Sequence, residues 1–92
     1  MTDLRTHIAA AEIALTAAAT AAPDEVDRAA IRDLQHLLVL AADAVPSECP
    51  ALLDEALTSL IHRAWPREAS DYITDAMLSV ATAHVIASVI AE

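Results

Sequence analysis

The sequence predicts an all-α fold, a small antiparallel bundle of about four helices. Three observations predict it. Hydrophobic residues make up 57% of the 92-residue chain, with a mean hydropathy of +0.44, too apolar for a disordered segment. Glycine is absent, and a sheet built from hairpins normally needs it in its turns. All four prolines, Pro23, Pro46, Pro50 and Pro66, fall between stretches of helical apolar spacing. Proline is tolerated in a first turn and breaks a helix interior. The length suits one domain, 1–92.

The prolines divide the chain into helices at about 2–21, 24–45, 50–65 and 67–91. Thr2 or Asp3 can cap the first. In the second, Pro23-Asp24-Glu25 sets acids at the positive end of the helix dipole. Ser47 or Cys49 precedes the third, with Pro50 in its first turn, and Pro66-Arg67-Glu68 opens the fourth. The connections are only a few residues long, which favours antiparallel neighbours.

At about 100° per residue, helix 1 carries one inner stripe, Leu4, Ile8, Ala11, Leu15, Ala18 and Ala22. Its reverse side is Thr6, Ile13, Ala17 and Thr20. The expected inner stripe of helix 2 is Val26, Ala30, Leu34, Leu37, Leu38, Ala41 and Val45. Its polar side holds Glu25, Arg28, Arg32, His36 and Asp43, with Val39 in the middle and Leu40 at the border. In helix 3, Leu53, Ala56, Leu57, Leu60, Ile61 and Ala64 are expected inside, and Asp54, Glu55, Thr58 and His62 outside.

Helix 4 is apolar on both sides. Ala69, Ile73, Ala76, Met77, Val80, Ala83, Ala87 and Ile90 form one face. Leu78, Ala81, Val85 and Val89 form the other. A helix apolar all round must be covered all round. That second face is the expected self-association surface, and the expected assembly is a homodimer.

No targeting or membrane segment is expected. Glu12 interrupts the N-terminal apolar run. The longest uncharged stretch, Ala76–Ala91, is short of the ~20 residues of a spanning helix and contains His84, Ser79, Thr82 and Ser88. The expected location is the cytoplasm; a single cysteine, Cys49, fits a reducing compartment and forms no internal disulfide.

No motif names a chemistry. Each helix contributes one histidine: His7, His36, His62 and His84. At ~1.5 Å rise per residue, His7 and His62 fall near opposite ends of an up-down bundle, so the four do not meet around one ion. Asp54 and Glu55 are adjacent and diverge by about 100°. Ser47 and Cys49 have no histidine at a spacing that predicts contact. There is no glycine-rich loop or convergent triad, so no enzyme, cofactor or metal site is expected.

Charge and aromatics point to protein contacts. Asp and Glu total 14 against 5 arginines and no lysine, a formal charge of -9. That argues against direct contact with nucleic-acid phosphates. The expected acidic contact residues are Asp33, Asp43, Asp54 and Glu55. The segment from His62 to Arg67 holds the lone tryptophan, and Arg63, Trp65, Arg67 and the nearby Tyr72 are residue types enriched in binding hot spots. Trp65 also suits the end of a core that has no phenylalanine. The expected function is non-enzymatic and acts through protein–protein contacts. Its sharp form is an inhibitor that occupies a basic nucleic-acid-binding surface, in the manner of phage anti-defence inhibitors such as anti-CRISPR proteins. That comparison rests on size, charge and helicity alone. The alternative is a structural or assembly subunit that pairs through helix 4.

Overall fold

A computed structural model describes residues 4–91. It is an all-α bundle of four helices: α1 (Leu4–Ala21), α2 (Glu25–Asp43), α3 (Cys49–His62) and α4 (Ser70–Ala91), with a 3-10 turn, Arg67–Ala69, before α4. The expected cap at Thr2 or Asp3 lies outside the described residues. Consecutive helices touch, and α1 closes the ring against α4. No contact joins α1 to α3 or α2 to α4 among the described residues, so the order around the ring is α1, α2, α3, α4. Short connections make neighbours antiparallel. The result is a rod, 40 × 19 × 19 Å.

The boundaries follow local chemistry. Asp24 caps α2, its Oδ1 accepting the Val26 amide at 3.0 Å. Ala44 leaves α2 in an extended conformation, so α2 ends before the expected 45, near the Val45-Pro46 step that disfavours helix. Neither Ser47 nor Cys49 caps α3; Glu48 holds that position without a side-chain bond, and Cys49 and Pro50 form the first turn. The third helix ends at His62, three residues before the expected 65, with Arg63 extended (φ -111°, ψ 140°). Trp65 precedes Pro66, whose ring pushes it out of helical geometry. The expected start of helix 4 at 67 is the 3-10 turn.

Each helix buries two large residues seven positions apart: Ile8 and Leu15, Ile31 and Leu38, Leu53 and Leu60, Ile73 and Val80. A seven-residue step is close to two turns, so both side chains stay on one face. Each such burial is worth about 1.5–3 kcal/mol.

Three expected stripes are corrected. In α2 the inner line is Ile31, Leu34, Leu38 and Ala41. Ile31 is fully buried, although the expected stripe left it out, while Val26 and Val45 are exposed. Val26 lies in the first turn, and Val45 is outside the helix. Ile61 and Ala64 are exposed, because Ile61 sits one step off the Leu53–Ala56–Leu60 line and Ala64 follows the helix end. Ile90, near the end of α4, is also exposed.

Candidate functional site

The acidic candidates sit on α2 and α3. Asp33, Asp43, Asp54 and Glu55 are all exposed. Asp33 and Glu55 come together across a groove between the two helices, with a volume of about 470 Å³. Ala30, Leu34 and Leu37 give it an apolar floor, and Ser59, His62, Arg63 and Trp65 complete its lining. Asp43 and Asp54 do not line this groove. The 100° step between neighbours turns Asp54 away from the direction Glu55 takes.

The arginines engage other acids. Glu25 receives Arg32 at 2.7 Å and Arg28 at 3.1 Å. Arg32 foremost, then Arg28, holds the Glu25 carboxyl below its ordinary value. Arg28 also donates to the Ala22 carbonyl at 2.9 Å, tying α2 to the end of α1. Arg63 Nη2 meets Asp27 Oδ1 at 2.8 Å, joining the start of α2 to the end of α3. The acids in all three of these ion pairs are therefore Glu25 and Asp27. Asp33, Asp43, Asp54 and Glu55 have no ion pair among the described residues.

The hot-spot segment divides in two. The Arg63 guanidinium lies 5.1 Å from the Trp65 ring centroid. Trp65 is half-buried against the core, and its Nε1 donates to the Leu60 carbonyl at 3.0 Å. That carbonyl belongs to the last turn of α3, which lacks intrahelical donors. Trp65 and Arg63 thus close one end of the bundle while lining the groove. Arg67 and Tyr72 are exposed and lie outside the groove lining.

The second face of α4 is exposed as a line. Leu78 is 64%, Val85 60% and Val89 66% exposed; Ala81 is half-buried. On neighbouring α1, Ile13 is 71% exposed. The sequence placed Ile13 on the reverse side of helix 1 without counting it in a surface. Its signal was bulk, since its neighbours on that side are alanine and threonine. By length and composition, Arg67–Ile90 could cross a membrane, and 28% of its apolar window is buried in the bundle.

His7 and His84 are half-buried, His36 and His62 exposed, and His62 Nδ1 lies 3.0 Å from the Thr58 carbonyl. Among the described residues, no three His, Cys, Asp or Glu side chains converge on a possible ion position. Cys49 is buried beside a small apolar cavity of about 90 Å³, at the end of the bundle opposite Trp65. Burial pushes its thiol pKa up, which suppresses the reactive thiolate. Of the groove residues, Ala30 and Leu37 were expected in the inner stripe of helix 2 and not at a site, and Ser59 was not singled out; only the pairing of α2 with α3 makes them neighbours. No known protein family, curated protein or solved structure matches this chain, so its surfaces are read from their own chemistry.

Proposed function

We propose that this chain is a non-enzymatic binding protein that works by contact with a basic protein, through the α2–α3 side of the bundle. The carrying observation is that Asp33 and Glu55 flank one apolar-floored groove without an arginine of their own. Such a groove suits arginine or lysine: the aliphatic stem lies on Leu34 and Leu37 and the cationic head lies between carboxylates. Arg63 does not cancel this polarity, because Asp27 neutralises it. A net charge of -9 steers a cationic partner toward the surface. In its sharper form, the partner's basic surface is one that otherwise holds nucleic acid, and the chain acts as an anti-defence type of inhibitor.

Affinity capture from the source organism's lysate at low and high salt tests this, with Asp33→Lys/Glu55→Lys as the comparison. The expected result is a basic nucleic-acid-binding protein, held at low salt and released near ~1 M, where charge interactions reach only about 3 Å. The double reversal should slow its association about tenfold or more. Recovery of the bait alone, or of a partner indifferent to salt and reversal, overturns the proposal.

A further inference from the structure

The α1–α4 side of the bundle is unlike the α2–α3 side. From Thr6 to Ala21, α1 has one charged residue, Glu12, and from Ala76 to Ala91, α4 has none. The charges of α4 are confined to its first turns, at Asp71 and Asp75. We infer that this face binds a second copy of the same chain, about a two-fold axis parallel to the helices.

The directions of the side chains define the face. Gln35 of α2 donates to Thr16 Oγ1 at 2.9 Å, so Thr16 marks the side of α1 turned toward α2. At about 100° per residue, the side turned away is Thr6, Ala10, Ile13 and Ala17. On α4, with Ile73, Ala76, Val80, Ala83 and Ala87 inside, the outer line is Leu78, Thr82, Val85 and Val89. Thr82 Oγ1 donates back to the Leu78 carbonyl at 2.9 Å, which satisfies its hydroxyl within the helix.

Register then makes the face complementary to itself. Ile8 and Ala87 line the same small end cavity, and the inferred pairing takes them as level. Antiparallel helices keep that pairing along their length, at ~1.5 Å per residue. Ile13 is therefore level with Thr82, Ala10 with Val85, Ala17 with Leu78, and Thr6 with Val89. The proposed two-fold preserves level and sets α1 of one copy against α4 of the other. Every bulky residue then meets a small one: Ile13 fits over Thr82, between Leu78 and Val85, while Val85 and Leu78 fit over Ala10 and Ala17.

Size and charge favour this occupant. The apolar strip from Leu78 to Val89 is about 17 Å long at ~1.5 Å per residue, and the whole side of the rod, 40 × 19 Å, is roughly 760 Å², so pairing along the full side approaches the ~800 Å² each partner contributes to a stable interface. Asp71 and Asp75 fall toward one end of it, as a polar rim. Pairing through the opposite side would set Asp33 and Glu55 against their own copies. Pairing through α1–α4 places those acids outside, separated by two bundle thicknesses of 19 Å, well beyond the ~8 Å screening length.

Sedimentation of the full chain across a concentration series tests the inference. The expected mass is about twice 9.7 kDa. Val85→Glu should raise the dimer dissociation constant about tenfold or more with helicity unchanged, since Val85 is already exposed in the single chain. Ala10→Leu should also weaken pairing, and adding Val85→Ala to it should restore the dimer, because those two positions face each other. A monomer at every concentration overturns the inference, as does a dimer indifferent to Val85→Glu. A failed rescue overturns the two-fold described. Binding of monomers to phosphatidylcholine vesicles through this face would assign it to a lipid surface and overturn the pairing.

Discussion

The two halves of the bundle are held together by different means. The α1–α4 seam is made largely of alanine: Ala11, Ala18, Ala76, Ala83 and Ala87 are buried beside Ile8, Leu15, Ile73 and Val80. The α2–α3 half relies on larger groups, Ile31, Leu34, Leu38, Leu53 and Leu60. Outside, the order reverses in polarity. The alanine half is uncharged over most of its length, and the leucine half carries acids and the arginine pairs. Alanine lets helices approach closely and buries little area per residue. The first half therefore depends on fit and the second on volume.

That difference predicts opposite sensitivities, each read from thermal or denaturant melts of the single chain. Leu53→Ala empties a fully buried site and should cost about 2–5 kcal/mol. Ala83→Leu overfills the close seam and should cost about 1–3 kcal/mol, although it adds apolar surface. If Ala83→Leu were neutral, the seam would not be close-packed, and the contrast would fail. Asp24→Ala removes the α2 cap and should cost about 1 kcal/mol.

Acid and alkali supply the smallest effect. The carboxyl of Glu25 titrates below its ordinary 4.5 when folded, so its contribution is present above that value and is lost as pH falls through the lowered one. The Cys49 thiol titrates above its ordinary 9.0 when folded. Its contribution is full below that value and is lost as pH rises through the raised one. Cys49→Ser should flatten the alkaline decline, and Glu25→Gln should flatten part of the acid one, both measured as melting temperature against pH.

Much of the fold was legible because prolines and helical spacing are local signals. The four helices, the inner line of α1 and that of α4 as far as Ala87 needed only the sequence. Ile31 was missed because the inner line of α2 keeps the expected Leu34, Leu38 and Ala41 but is turned toward Ile31 and away from Val26, and only the positions of α1 and α3 fix that angle. The arrest of α3 before Trp65 was legible in Pro66 and was outweighed by the apolar run before it. At the candidate site, the exposure of Asp33, Asp43, Asp54 and Glu55 was legible. Their division was not, because the groove exists only where α2 and α3 meet. Arg63 and Asp27 are 36 positions apart, and nothing local in either predicts the 2.8 Å contact that occupies both.

Trp65 and Cys49 have a consequence for how this rod comes apart. One closes one end and the other lies buried at the opposite end, with the length of α3, about 20 Å at ~1.5 Å per residue, between them. The chain has no second tryptophan and no second thiol. Indole emission therefore follows melting at one tip, and the rate of thiol labelling follows it at the other, without any introduced dye. If the two signals lose protection together, the bundle opens as one cooperative unit. If they separate in time or in denaturant, the order of their loss gives the direction in which the helices unzip.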